Sequence, residues 1–399
     1  MKHGSAFGQI PVGALVAALI AGAASGATPA ERPAVDYRAD AGEIAGLIAA
    51  NYAYLDHLPG GAVPSSAKLD AERDAVHDGD SLLRYAEDMM TALADHHAMT
   101  GSSFRDDWAI VPTYADLWIV RRGGAYVVDA VKPDTPAARA GIVAGDRLVA
   151  VDGVATEQAV ATFWDRLGLA PEGERGPFAA RILAAGRRDR DRRLTIAGAT
   201  GQRSLTLASL YRERQDRPPV TVIPGKAGAV TIRFNNALGD SATIAAFDQA
   251  MAALPDRAPV TIDISDVPRG GTTSVARAIM GWFVTRPMPY QVHDLPAEAR
   301  ETGIPRRWIE EVLPRPGKHH VGPVRVVAGR WTGSVGEALA IGFQSLGKPV
   351  CGSAMAGLKG AVYDFDLPRS GLRIKFPAER LYAVDGRPRE TVALPACRG

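Results

Sequence analysis

Two cysteines, Cys351 and Cys397, are all that this chain of 399 residues contains, which excludes a disulfide-rich scaffold and any Cys-x-x-Cys metal or redox motif. The two leave alternatives open: a disulfide tying the C-terminal tail to the body in an oxidising compartment, or one buried thiol and one free thiol on the tail. Histidine is also scarce. His96-His97 and His319-His320 are adjacent pairs, which point apart on a helix or strand, and no His-Glu-x-x-His occurs, so no metal and no cofactor is expected. Neither sign of charge dominates: the formal net charge is +2, which argues against a dedicated nucleic-acid surface. The run Arg187-Arg188-Asp189-Arg190-Asp191-Arg192-Arg193 mixes both signs and reads as a solvated loop. Beyond the first thirty or so residues no apolar run approaches the ~20 residues of a membrane span, and there is no internal repeat.

What is present is a globular composition, 46% hydrophobic, long enough for roughly two or three domains. Lys2 and His3 precede an alanine-rich apolar stretch, Ile10 to Ala24, and then Ser25-Gly26-Ala27. Small residues in those places suit a cleaved secretory signal over residues 1–27, with no membrane span left after cleavage and export to a periplasm or beyond the cell. Apolar residues at helical spacing, such as Leu82, Tyr85, Ala86, Met89, Met90 and Leu93, predict a helical region within residues 28–107. From Val220 on, strands such as Ala229-Val230-Thr231-Ile232 alternate with helices such as Ser241 to Leu254, which predicts an α/β core over residues 220–399. Tyr211 to Pro219 reads as a linker, and the stretch from Arg286 to Pro323, with its seven prolines, as a lid, a substrate-facing loop or a non-catalytic decoration.

Ser334 lies in Trp331-Thr332-Gly333-Ser334-Val335-Gly336-Glu337, after the apolar run Val324 to Ala328 and before a helical one, Val335 to Leu346. A strand-to-helix corner exposes a hydroxyl and aims the first N–H groups of the helix at one point, which suits a nucleophile and a developing oxyanion. Lys359, in Ala356-Gly357-Leu358-Lys359-Gly360, follows twenty-five residues later, past a short strand at Pro349-Val350-Cys351. Type, spacing and context together resemble the C-terminal processing (tail-specific) serine peptidases, which use a Ser-Lys dyad. Pro259 to Ile264 followed by Arg269-Gly270-Gly271-Thr272 resembles the strand and paired glycines of that family. By that resemblance the N–H of Gly270 or Gly271, with that of Val335, forms the oxyanion hole.

Residues 108–208, from Gly124-Ala125-Tyr126-Val127-Val128 through Asp134 to Gly141 and on to Gly145 to Gly153, look like a PDZ domain with an insertion around Gly168 to Arg193. Such domains hold an extended peptide by adding it as a strand. The loop that takes a peptide carboxylate matches Tyr114-Ala115-Asp116-Leu117-Trp118, where Asp116 would repel it.

Leu93-Ala94-Asp95-His96-His97 fits the Leu-x-Asp-x-His pattern of secreted relatives and, more distantly, of the tricorn core protease, in which histidine is the base and a late glutamate supports it; Glu390 is the candidate for that glutamate. His97 is therefore the alternative base to Lys359. Histidine accepts a proton near pH ~6.5 unaided, whereas a lysine must first fall by roughly 3 pKa units. The twenty-five-residue spacing favours Lys359, while Tyr363 stands where the family carries glutamine. The resemblance implies an α/β multidomain enzyme with a ClpP/crotonase-like catalytic core, an exported serine endopeptidase acting on unfolded or flexible polypeptide, with an activating or adaptor protein as a possible partner. The alternatives are an inactive PDZ-containing binding or scaffold protein on the same fold and a non-peptidase acyl hydrolase.

Overall fold

The computed structural model describes residues 35–213 and 216–397; the segment expected to be a signal lies outside them. The helical region comprises α1 (Tyr37–Asn51), α2 (Ala67–Ala75) and α3 (Gly79–Ala92). Each starts at a residue whose side-chain oxygen takes a first-turn N–H: Asp36 from Ala39, Ser66 from Leu69, Asp78 from Ser81. These caps satisfy donors that a helix start leaves unpaired. α3 buries the predicted face, Leu82, Tyr85, Ala86, Met89 and Met90. The chain then passes Asp95 to Ala98 into β1 (Met99–Thr100).

The next module holds β2 (Leu117–Arg122), β3 (Ala125–Val131), α4 (Pro136–Arg139), β4 (Arg147–Val151), β5 (Val154–Ala155), α5 (Thr156–Asp165), α6 (Arg175–Ala185), β6 (Arg192–Gly198) and β7 (Gly201–Leu207). Its sheet runs β2-β3-β4-β6-β7, antiparallel, with β5 on β4. Two expectations are corrected here. The Arg187 to Arg193 run is not solvated throughout: Arg192 is 2% exposed and pairs with the fully buried Asp116. Arg187 and Arg188 lay their guanidinium planes over Trp108 and Tyr211, since that planar, weakly hydrated group stacks on aromatic faces. Asp116 in turn is not free to repel a carboxylate, because Arg192 compensates it and the Ala137 N–H donates to it at 3.0 Å.

The core follows as β8 (Val220–Pro224), β9 (Val230–Phe234), α7 (Ala242–Ala252), β10 (Val260–Asp263), β11 (Asp266–Val267), α8 (Thr273–Met280), β12 (Met288–Asp294), α9 (Pro296–Thr302), β13 (Arg307–Val312), β14 (Val324–Ala328), β15 (Trp331–Thr332), α10 (Val335–Ser345), β16 (Val350–Gly352), β17 (Ala361–Asp366) and β18 (Arg373–Tyr382). One sheet runs β16-β14-β10-β9-β8, parallel except for the β8–β9 pair. Both faces of such a sheet must be covered, and α10, buried from Val335 to Phe343, packs against it. A second sheet runs β1-β18-β12-β13, with β17 on β18. The proline-rich stretch from Arg286 to Pro323 is therefore no loop: it contains the β12–β13 hairpin with α9 between its strands, and β12 also pairs with β18. Its prolines fall just before strands, at a bulge, at or beside α9, or past the end of β13, where no ladder N–H is needed. Cys351 and Cys397 are joined as a disulfide.

The first two modules share one apolar cluster with Leu358, Ile374 and Phe376 from the C-terminal part, and the parallel sheet has its own. Three contacts tie the antiparallel module to the corner that precedes α10 and to β11, which pairs with β15 there. Trp331 Nε1 donates to the Ala115 carbonyl at 2.7 Å, Arg330 Nε to Asp129 at 2.8 Å, and Lys132 Nζ lies 2.7 Å from Asp266.

Candidate active site

Ser334 occupies the expected corner between β15 and α10, at φ 52° and ψ −114°. A serine at positive φ is strained, and its surroundings must hold it there. Glu337, fully buried one turn into α10, does much of this. Its carboxylate accepts the N–H of Ser334 at 2.8 Å, of Gly357 at 2.9 Å and of Leu358 at 3.2 Å. One side chain thus fastens the serine corner to the loop that carries Lys359. Burial lifts the Glu337 pKa to about 7, opposed by the charge of Arg389 and by those three N–H bonds.

Gly270 packs against the corner at φ 67°: a Cβ there would stand 2.4 Å from Ser334 Cβ and 3.2 Å from the Val335 nitrogen. Only glycine fits such an approach. The Gly270 N–H donates to the Val267 carbonyl at 3.2 Å. Val335 and Gly271 both line the cavity at Ser334, and their N–H groups have no partner among the described residues. Of the expected glycines, Gly271 is therefore the one free to donate.

A cavity of about 630 Å³ opens at Ser334 and is lined also by His97, Arg389, Trp308, His293 and Glu379. His97 is buried, 7% exposed. Its main-chain N–H donates to Asp95 at 2.9 Å, and Tyr52 Oη donates to the same carboxylate at 2.9 Å. Its Nδ1 lies 2.6 Å from the Lys359 carbonyl oxygen. A carbonyl can only accept, so Nδ1 carries the proton and Nε2 keeps its lone pair. Burial pushes the His97 pKa down to about 4; the hydrogen bond to Lys359 and the charge of Asp95 oppose this, and Arg389 adds to it.

The Lys359 side chain goes elsewhere. It is not among the residues lining the cavity, and Nζ stands 5.6 Å from the centre of the Tyr54 ring. What Lys359 gives the site is its main-chain carbonyl, and Arg389 grips the carbonyls on either side, Leu358 at 2.9 Å and Gly360 at 2.8 Å. Glu390, the glutamate expected to support His97, does not hold Nδ1, because the Lys359 carbonyl already takes it. Tyr363 turns to Glu379 with a short hydrogen bond.

The opposite wall was not anticipated. His293 on β12 lies between Glu379, 2.7 Å from Nδ1, and Glu310, 3.3 Å from Nε2, with its ring stacked 4.9 Å from that of Trp308. Burial alone would lower its pKa, but the hydrogen bonds and charges of Glu310 and Glu379 outweigh it and raise the value. The available signal was the strand spacing of Tyr290-Gln291-Val292-His293 inside the proline-rich stretch.

Residues 127–162 match the family model for the PDZ domain. Among solved structures, the photosystem II D1 C-terminal processing protease matches with a TM-score of 0.55 at 17% identity, over 90% of this chain and 92% of that one. This chain has the fold of the C-terminal processing proteases. Mature CPAF complexed with lactacystin matches with a TM-score of 0.54 at 13% identity, over 90% of this chain and 92% of that chain. Among curated proteins none matches the sequence.

Proposed function

We propose that the chain is a serine endopeptidase in which Ser334 is the nucleophile and His97, rather than Lys359, is the general base. The observation that carries this is the hydrogen bond from His97 Nδ1 to the Lys359 carbonyl, which leaves Nε2 as a lone-pair base in the cavity that also holds Ser334. Ser334 Oγ attacks a peptide carbonyl carbon as its proton passes to His97 Nε2, and the N–H groups of Val335 and Gly271 receive the oxyanion. Collapse expels the amine, which takes the proton from His97. Water, deprotonated by the same nitrogen, then releases the acyl group. An open cavity suits an extended, unfolded segment of polypeptide. A secretory signal at the N-terminus and the Cys351–Cys397 disulfide support export to an oxidising compartment.

The test is cleavage of a reduced, unfolded protein by the purified chain beside Ser334→Ala, His97→Ala and Lys359→Met. Loss in the first two with activity kept in Lys359→Met is expected, because methionine preserves the main-chain carbonyl. Activity in His97→Ala together with loss in Lys359→Met returns the role to the lysine, and an inert unaltered chain leaves a binding protein on this fold.

A further inference from the structure

Among the described residues β2 is an edge strand, paired with β3 alone, and such an edge is where an extended peptide adds as a further strand. Here α6 already lies along it, packed against β2 and α5. Arg181 Nη1 donates to the Ile119 carbonyl of β2 at 3.3 Å, and its guanidinium stands 5.1 Å from the Trp118 ring. On the other side Trp164 Nε1 of α5 donates to the Arg175 carbonyl at 2.8 Å. Phe178, Ile182 and Leu183 of α6 are buried. This helix is the stretch that reads from sequence as an insertion in the PDZ-like module.

The same helix reaches the residue before His97. Arg181 Nε donates to His96 Nε2 at 2.9 Å, and the Phe178 ring stacks on the His96 imidazole at 4.3 Å and 20°. His96 directly precedes His97. A residue gripped on its ring face and its ring nitrogen leaves little freedom to the next one along the chain.

We infer that α6 is a resident ligand of the PDZ-like sheet edge and that Arg181, acting through His96, is a positioning residue for His97. The PDZ-like module then sets the base from within, and its edge is not a capture site for an extended peptide. The positioning half rests on the reading of His97 as the base; the occupied edge does not.

Two measurements on the full chain test this. In the first, Ser334→Ala, which cannot turn over, is saturated with an unstructured peptide bearing a free C-terminal carboxylate, and hydrogen exchange of the β2 amides is followed. Unchanged exchange in Leu117 to Arg122 is expected, and peptide-dependent protection there overturns the occupied edge. In the second, Arg181→Met and Arg181→Lys are compared with the unaltered chain by kcat, KM and the imidazole nitrogen resonances of His96 and His97. A folded Arg181→Met is expected to lose roughly ten- to a hundredfold in kcat at nearly constant KM, to shift the His97 resonances, and to be partly rescued by lysine. Unchanged kcat and unchanged His97 resonances in a folded Arg181→Met overturn the positioning role. If Arg181→Met does not fold, Phe178→Leu, which loses the ring stack and keeps an apolar group, is read by the same criteria. An unaltered chain that cleaves nothing refutes the peptidase reading, and the inference then stands or falls on the exchange pattern and the resonances.

Discussion

Replacing Glu337 by glutamine separates two roles of one buried carboxyl. Burial raises its pKa from 4.5 to about 7, which corresponds to about 3 kcal/mol of linkage. Because the folded value lies above the unfolded one, the native chain keeps a proton that the unfolded chain releases. That stability is fully present below pH 4.5 and is lost as the pH rises through 7. Glutamine does not titrate, so Glu337→Gln gains about 3 kcal/mol on the unaltered chain between pH 4.5 and pH 8. Against this stands a cost that does not vary with pH. The carboxylate serves three N–H groups with both oxygens, Oε1 for Gly357 and Oε2 for Ser334 and Leu358. Below pH 7 the protonated carboxyl already turns one O–H toward these groups, whereas an amide turns two N–H bonds, leaving one more buried donor unsatisfied at about 1–3 kcal/mol at every pH. The variant is thus expected to be less stable than the unaltered chain at pH 4.5 and equal to it or better at pH 8. It should lose peptidase activity throughout, because the serine corner and the Lys359 loop no longer share one anchor. Urea unfolding of both chains at pH 4.5, 6 and 8, with kcat measured beside it, provides the assay. A free-energy difference that stays constant over that range refutes the reasoning.

His97 runs the opposite way: its folded pKa of about 4 lies below the unfolded 6.5, so stability is lost as the pH falls through that window, by up to about 3 kcal/mol, and His97→Gln should remove that slope. In the kinetics, kcat/KM should rise with pH along a limb centred near 4, and Lys359→Met should keep that limb. Gly270→Ala places a methyl 2.4 Å from Ser334 Cβ at φ 67°; expected are a loss of about 1–2 kcal/mol from the left-handed backbone and a drop in kcat on the order of a hundredfold, read by unfolding and by peptide cleavage. Arg192→Met leaves Asp116 buried without its partner and should cost roughly 3–5 kcal/mol, most of it recovered in the double variant with Asp116→Leu. Cys397→Ser opens a crosslink spanning 46 residues and should lower stability by up to about 4 kcal/mol, with the variant then indifferent to reductant.

The serine corner was legible because a buried parallel strand and a buried helix both write long apolar runs, and the strand predicted from Val324 to Ala328 is the one observed. Paired glycines were legible for the same kind of reason, since close backbone approach leaves few other residue types. The β12–β13 hairpin was not, because a bulge between Pro289 and Gln291 breaks the alternation that marks a strand. The proposal of His97 over Lys359 rests on side-chain direction, which spacing does not carry: spacing brings the Lys359 loop to Ser334, but only the fold turns its amine to Tyr54 and its carbonyl to His97. Arg192 was misread because its partner, Asp116, lies 76 residues away, and local charge mixing carries no information about such a pair.

The imidazole of His97 obtains its tautomer from a carbonyl 262 residues further along the chain. The weave is similar elsewhere: β1 pairs with β18, and the buried Asp40 accepts the main-chain N–H groups of Arg369 and Ser370. A nascent chain therefore carries α10 before the histidine has anything to fix it, and a copy clipped ahead of Lys359 never acquires that partner. If His97 is the base, as proposed, activity waits on the stretch that carries Lys359, and synthesis past that point acts as a safety catch on the proposed chemistry.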